Sequence, residues 1–117
     1  VAVGRAAGGQ VTTGSDNTMV GTFSGEDLTT GQQNTFLGYL AGANMVTGSN
    51  STFIGRRAGF STNADNNIAI GRSAFEDATS DATNNVVIGN TSGFRMQGDE
   101  NTAVGNTTLE DCTTGKL

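Results

Sequence analysis

Arginines recur at one position of a repeating pattern, directly after a glycine. Arg5, Arg56 and Arg72 each follow an aliphatic residue and a glycine, and Tyr39 takes the same position in another repeat. Arg57 adds a further guanidinium group beside Arg56. Arginine and tyrosine are favoured at recognition surfaces. The spacing therefore predicts a binding patch formed by Tyr39, Arg56, Arg57 and Arg72.

Adjacent acidic residues recur a few positions after the same glycine. The three pairs are Glu26-Asp27, Glu76-Asp77 and Glu110-Asp111. A glycosidase needs two carboxylates that face each other across a cleft at about 5–10 Å, and sequence neighbours on an outer corner do not provide this arrangement. We interpret the pairs as a solvated acidic edge. The alternative to the binding patch is that its arginines form ion pairs with Glu76 and Asp77, or with a neighbouring chain.

The sequence indicates no activated nucleophile and no metal site. Ser24, Ser73 and Ser92 occupy repeat positions, but the sequence contains no histidine that could activate them. No Gly-Gly-x-Gly-x-Asp tandem is present, so a calcium-binding roll is not indicated. Cys112 is the one cysteine, which excludes an intrachain disulfide, and we expect it to be a small buried hydrophobic residue. The sequence predicts neither an enzyme nor a metal or cofactor site.

The composition excludes further classes of function. The 117 residues include 18 glycines and no proline, and the formal net charge is −5. Six basic residues in an acidic chain do not provide the basic face that nucleic-acid binding needs. No apolar run approaches the ~20 residues of a membrane span. We therefore expect no nucleic-acid partner and no membrane insertion. Because Val1 stands first in place of a methionine, we also expect the sequence to be a segment of a longer chain.

An aliphatic residue followed by glycine recurs along the whole chain. These glycines, hereafter the anchor glycines, are Gly4, Gly21, Gly38, Gly55, Gly71, Gly89 and Gly105, spaced 17, 17, 17, 16, 18 and 16 residues apart. A repeat this short and this rich in glycine favours one coil of a parallel β-solenoid over a helical repeat. We predict one all-β domain over residues 1–117, with about seven coils and two short strands per coil. Asparagines four positions before the anchors should hydrogen-bond from coil to coil.

The strand before each anchor glycine is apolar on both faces. The aliphatic residue immediately before the glycine is expected to point into the coil. The residue one position earlier is also apolar in every repeat: Ala2, Met19, Phe36, Phe53, Ala69, Val87 and Ala103. Since a thin coil has only one interior, the second apolar face must meet another surface, and a copy of the chain is the economical candidate. We predict that Met19, Phe36, Phe53 and Val87 form that interface.

Two stretches of the repeat resemble known fibres. Residues 34–38 (Asn-Thr-Phe-Leu-Gly) and 51–55 (Ser-Thr-Phe-Ile-Gly) are similar to the Asn-Thr-Ala-Ile-Gly repeats of viral and phage tail-fibre shafts. They are also similar to the Ser-Val-Ala-Ile-Gly head repeats of trimeric autotransporter adhesins. The resemblance extends over all seven repeats. It implies a homotrimer of left-handed parallel β-rolls with a role in surface attachment, located on the virion or on another extracellular surface.

Three functions are weighed on this basis. The first is a non-enzymatic fibre segment of a virus or phage, whose partner besides its own copies is a host-surface glycan or protein receptor. The second is a bacterial adhesin head; the repeat of nearly 17 residues and the threonines at positions 18, 35, 52 and 102 favour the fibre over it. The third is an ice-binding solenoid, which needs flat Thr-x-Thr rows. Most threonine pairs here are adjacent, as in Thr12-Thr13, so that their side chains point to opposite faces.

Overall fold

The chain winds as a parallel β-solenoid. The computed structural model describes residues 1–78 and 82–112. Its strands are β1 (Ala2–Val3), β2 (Thr18–Val20), β3 (Thr35–Leu37), β4 (Thr52–Ile54), β5 (Ile68–Ile70), β6 (Val86–Ile88) and β7 (Thr102–Val104). All belong to one sheet in chain order, and each pairs in parallel with the next. The solenoid makes about six turns, and its longest dimension is 35 Å.

The predicted all-β parallel solenoid is confirmed, because the described residues contain strands and turns and no helix. A helix long and apolar enough to cross a membrane is accordingly not found among them. The left-handed winding and the homotrimer stay predictions.

The anchor glycines allow neighbouring coils to approach closely. Gly38 has a φ of +138°, and a Cβ atom on it would lie 2.5 Å from the carbonyl oxygen of Gly55 in the next coil. Gly21 has the same relationship to Gly38, with a φ of +136°. A side chain at this position would push the next coil away and would also strain the backbone. The strands therefore end at glycine, and successive corners stack directly on one another.

A column of asparagines runs along the interior, as predicted. The Asn17 Oδ1 atom accepts a hydrogen bond from the backbone N–H of Asn34 at 2.9 Å, and Asn34 Oδ1 accepts one from the N–H of Ser51 at 2.9 Å. The Asn34 amide also donates to the carbonyl of Gly48 at 2.9 Å. The same Oδ1-to-backbone bond joins Asn67 to Asn85 and Asn85 to Asn101. These bonds satisfy polar groups that are cut off from water.

The interior of the coil is lined by the middle residue of each strand. Phe36, Phe53 and Val87 are 0% exposed in the single chain, and Met19 is 4% exposed. They pack against the apolar column seven positions after the anchors, which includes Leu28, Met45 and Met96. The prediction that Met19, Phe36, Phe53 and Val87 form an interface between chains is therefore wrong, because they are core residues with no surface left to offer.

The aliphatic residues before the anchor glycines point outward, which reverses the expected orientation. Val3 is 57% exposed, Leu37 46%, Ile88 37% and Val104 64%. Val20, Ile54 and Ile70 in the same column are partly exposed. Both faces of the strand are apolar, as expected. However, the residues that were expected inside the coil lie outside, and those expected at the interface lie inside. The outward face is the one that a partner could cover.

In residues 1–78 and 82–112, the part of each coil after the anchor glycine consists of turns and irregular segments, so the predicted second strand is not found there. In the first coil the N–H of Ala7 donates to the carbonyl of Gly4, and that of Val11 to the carbonyl of Gly8. Ala6 and Gly8 have φ values of +54° and +59°, which bend the backbone too tightly for an extended strand. The Gly8 N–H still donates to Ser24 of the next coil at 2.9 Å, so this half also binds coil to coil.

Large and small residues are paired across the thin core. A Cβ atom on Gly42 would lie 2.8 Å from the Phe36 ring, so a phenylalanine in the strand requires a glycine at this position. The fifth coil has the reverse arrangement, with Ala69 in the strand and Phe75 in place of the glycine, both fully buried. Phe75 adopts a φ of +55°, a conformation that is costly for a bulky residue. The Phe75 ring occupies the volume that the small Ala69 side chain leaves.

Candidate binding surface

A row of arginines and aromatic rings runs along the corner after the anchor glycines. The Arg5 Cζ atom lies 5.2 Å from the centroid of the Phe23 ring. The Phe23 and Tyr39 rings meet edge to face, with centroids 6.4 Å apart and planes at 69°. The Arg56 Cζ atom lies 5.8 Å from the centroid of the Tyr39 ring. We call Arg5, Phe23, Tyr39, Arg56 and the next residue of the column, Arg72, the corner ladder.

Backbone bonds between coils position the corner ladder. The Phe23 N–H donates to the carbonyl of Arg5 at 2.8 Å, and the Ser73 N–H donates to the carbonyl of Arg56 at 2.9 Å. Because the anchor glycines stack directly, each coil places one member of the ladder above the last, at the strand spacing of about 4.8 Å. Arg5, Tyr39, Arg56 and Arg72 are exposed, and Phe23 is half-buried. The predicted association of Tyr39 with Arg56 is thus present.

Arg57 points away from the ladder. Its Nε atom lies 2.5 Å from Oε1 of Glu76, and its guanidinium group lies 4.3 Å from the centroid of the Phe60 ring. The side chains of Arg57 and Glu76 are 33% and 10% exposed. Arg57 has a φ of +60°, so the backbone turns between Arg56 and Arg57. The structure favours the ion-pair alternative for Arg57, and we leave this residue out of the surface.

The acidic pairs differ in their exposure and in their contacts. Asp77 is exposed, as expected for a solvated edge, but Glu76 is buried against Arg57, which corrects that interpretation for this carboxylate. Asp27 accepts a hydrogen bond from the Gln10 side chain at 2.8 Å. Asp111 pairs with Arg95 at 3.1 Å, with both side chains largely exposed. In the part of the chain that the structure describes, no three acidic, cysteine or histidine side chains cluster to hold a metal ion.

The repeat serines and the cysteine have structural positions. The Ser24 hydroxyl donates to the carbonyl of Phe36 at 3.1 Å, and the Ser92 hydroxyl donates to the carbonyl of Thr108 at 3.2 Å. Ser73 is buried. Cys112 is free, partly buried and packed against the core, which agrees with its expected role as a small hydrophobic residue. The Ser24 and Ser92 hydroxyl groups bridge coils, because each donates to the backbone of the following repeat.

The exposed side of the sheet forms a second candidate surface. We call it the outer face; it consists of the first and last residues of the strands. The last residues are aliphatic throughout, and the first residues of β2–β7 are Thr18, Thr35, Thr52, Ile68, Val86 and Thr102. Every threonine of the outer face is thus followed two residues later by an aliphatic residue. The Thr-x-Thr rows that ice binding needs are not formed there, and the threonine column is interrupted at Ile68 and Val86.

Sequence reasoning missed Phe23 as a member of the ladder, and it left Arg5 out of the predicted binding patch. Phe23 lies one position later in its repeat than Tyr39 does. Phe23 has a left-handed φ of +59°, and its ring contacts both Arg5 and Tyr39. An aromatic residue adjacent to the arginine column was the available signal.

Comparison of the chain with family models, curated proteins and solved structures returned no match.

Proposed function

We propose that this chain is a non-enzymatic segment of a trimeric attachment fibre of a virus or phage. The observation that carries the proposal is the outer face, a continuous apolar strip on a repetitive solenoid. Leu37, Ile88 and Val104 expose 37–64% of their surface in the single chain. Exposed apolar strips of this kind mark interaction sites. A fibre shaft buries such a strip between identical chains.

The exchange of the two faces supports self-association. The core of each coil is already complete, since Phe36 and Phe53 are buried without any partner. The outer face is therefore additional apolar surface that folding of one chain does not use. Because the same residue types recur at the same position of every coil, the surface is self-complementary along its whole length, as the interfaces of symmetric oligomers are.

The remainder of the structure supports a mechanical role. Every coil binds its neighbours through strand pairing, the asparagine column and the turn segment. Serine hydroxyls, which would be the nucleophiles of a hydrolase, are hydrogen-bonded to the backbone. We place the fibre on the virion surface. A bacterial adhesin head is the alternative with the same architecture.

The first test is the mass of the purified chain by light scattering. We expect three times the 11.9 kDa of the single chain. A double variant, Leu37→Asp with Ile54→Asp, places charges in adjacent coils of the outer face and should give the mass of a monomer with an unchanged β-type circular dichroism spectrum. The matched control, Asn44→Asp with Ser61→Asp, adds the same charges in the same two coils on another side, and should stay trimeric.

The outcomes separate the parts of the proposal. A monomeric parent chain would contradict the trimer. A trimeric Leu37→Asp, Ile54→Asp variant would contradict the outer face as the interface. Release of reducing sugars from a surface polysaccharide by the purified chain would contradict the non-enzymatic role.

A further inference from the structure

We propose that the corner ladder is a binding site for a linear acidic polysaccharide, of the kind that carries carboxylate groups along its chain. This inference rests on the proposed attachment function and specifies the class of receptor. Three observations carry it: arginines without ion-pair partners, the position of two of them over aromatic rings, and their spacing along the rod.

The arginines of the ladder lack counter-ions. Within residues 1–78 and 82–112, ion pairs involve Arg57 and Arg95 but not Arg5, Arg56 or Arg72. This is unexpected in a chain of net charge −5 with 11 acidic residues. The acidic side chains are placed at other positions of the coil, and the corner therefore carries a local positive charge on an otherwise acidic molecule. An anionic ligand would supply the missing partners.

The aromatic rings hold two of these guanidinium groups in position. Arg5 lies over Phe23 at 5.2 Å and Arg56 over Tyr39 at 5.8 Å. A cation–π contact of this kind leaves an N–H edge of the guanidinium group able to donate to a ligand. That edge matches the two oxygens of a carboxylate, which it binds through two parallel hydrogen bonds. The conformational entropy lost on binding is reduced, because the side chains are ordered beforehand.

The spacing of the ladder fits an extended linear polymer. Arg5, Phe23, Tyr39, Arg56 and Arg72 come from five successive coils, which span about 19 Å at the strand spacing of ~4.8 Å. Cations stand at both ends, and two uncharged rings lie between them. An apolar sugar face can pack against the aromatic rings of Tyr39, which is exposed, and Phe23, which is half-buried.

The site on one chain is small, so each contact should be weak. In a trimer, three ladders follow the same rod, and one polysaccharide chain or several can engage more than one of them. Linked binding of this kind raises the overall affinity through effective concentration. The interaction should also weaken as salt is added, since exposed charges are screened within about 8–10 Å at ordinary ionic strength.

The experiment measures binding of the full chain to immobilised polygalacturonate, a linear polymer of uronic acid. Fully methyl-esterified polygalacturonate is the control ligand, because it has the same backbone without the charge. We expect salt-sensitive binding to the acid form alone. The triple variant Arg5→Gln, Arg56→Gln, Arg72→Gln should bind about tenfold more weakly than the parent chain, because each exposed charge pair contributes modestly.

Two single variants form a matched pair. Arg56→Gln and Arg95→Gln each remove one charge, and each removes a guanidinium group that lies over an aromatic ring, Tyr39 in one case and Phe94 in the other. Only Arg56→Gln should weaken binding. The variant Tyr39→Ala should weaken it as well, because Arg56 then loses its support.

Several results would overturn the inference. They are absence of binding to polygalacturonate, equal binding to the methyl ester, equal weakening by Arg56→Gln and Arg95→Gln, or a changed oligomeric mass in the triple variant. The last result would mean that the ladder is a contact between chains. Because the mass measurement also tests the trimer, loss of the polysaccharide site alone would leave the trimeric fibre standing.

Discussion

The Phe36 and Phe53 rings lie parallel to each other in neighbouring coils, with centroids 5.2 Å apart and planes at 9°. Their strands are paired in register, so that the separation of the rings follows the separation of the strands. Both rings are fully buried within one chain. The stack joins the cores of coils three and four.

The change Phe36→Ala should therefore destabilise the fold without altering the outer face. We expect a loss of about 3–5 kcal/mol in the free energy of unfolding, because a buried ring is replaced by a cavity that rigid coils cannot close. Chemical denaturation followed by circular dichroism would measure it. The exposed Gln32→Ala serves as a control and should change the free energy little. A loss below 1 kcal/mol for Phe36→Ala would contradict the core assignment.

The asparagine column should be intolerant of apolar replacement. Asn34→Leu preserves the approximate size but leaves the N–H of Ser51 and the carbonyl of Gly48 buried without their partner. Each buried unsatisfied group costs about 1–3 kcal/mol, so we expect a lower free energy of unfolding by at least 2 kcal/mol. The exposed Asn44→Leu should be close to neutral. If both variants unfold at the same denaturant concentration, the column does not contribute as described.

Exchanging the large and the small residue of the fifth coil tests whether Phe75 and Ala69 share one volume of the core. Phe75→Gly should create a cavity, and Ala69→Phe should crowd the Phe75 ring, so each single change should destabilise the protein. The double variant reproduces the arrangement of Phe36 and Gly42 and should recover most of the loss. A double-mutant cycle from denaturation curves measures the coupling, which we expect to be favourable and within the usual range of 0.5–3 kcal/mol. Additive losses would show that the two positions do not share one volume.

An anchor glycine should tolerate no side chain. Gly38→Ala combines a Cβ atom 2.5 Å from the Gly55 carbonyl oxygen with a φ of +138°. We expect a thermal midpoint lower by several degrees, from backbone strain of about 1–3 kcal/mol together with the steric clash. Gly9→Ala is the matched control, because its φ is ordinary and the nearest atom to an added Cβ is 3.4 Å away. Equal midpoints for the two variants would contradict the close-packing argument.

The sequence predicts the register of the solenoid well. Anchor glycines and the asparagines four positions before them recur with little variation, and the structure pairs these positions in neighbouring coils. Stacking of identical residues needs a regular period, which is visible without any coordinates. The turns in the second half of the coil were less predictable, because residues such as Ala6 and Phe23 adopt left-handed φ values that their types do not favour.

The orientation of the strands was not predictable from hydrophobicity, since both faces are apolar. The side-chain volumes nevertheless indicated which face of the strand is the interior one. Ala69 occurs in the repeat that has Phe75 in place of a glycine, and Ala103 in the repeat that has Leu109 there. Such compensation identifies the middle residue of the strand as the interior one. The direction of Arg57 depended on a backbone turn, which no pattern of charges reveals.

The close contact between anchor glycines has a consequence for how such a chain can change over generations. Each coil carries its own anchor glycine and core residues, and it touches only the coils on either side. An in-frame duplication or deletion of one whole repeat therefore rejoins matching surfaces, whereas a shift of a few residues does not. Rod length can vary in whole coils without redesign of the packing, and the ladder residues can be gained or lost together with the coil that carries them.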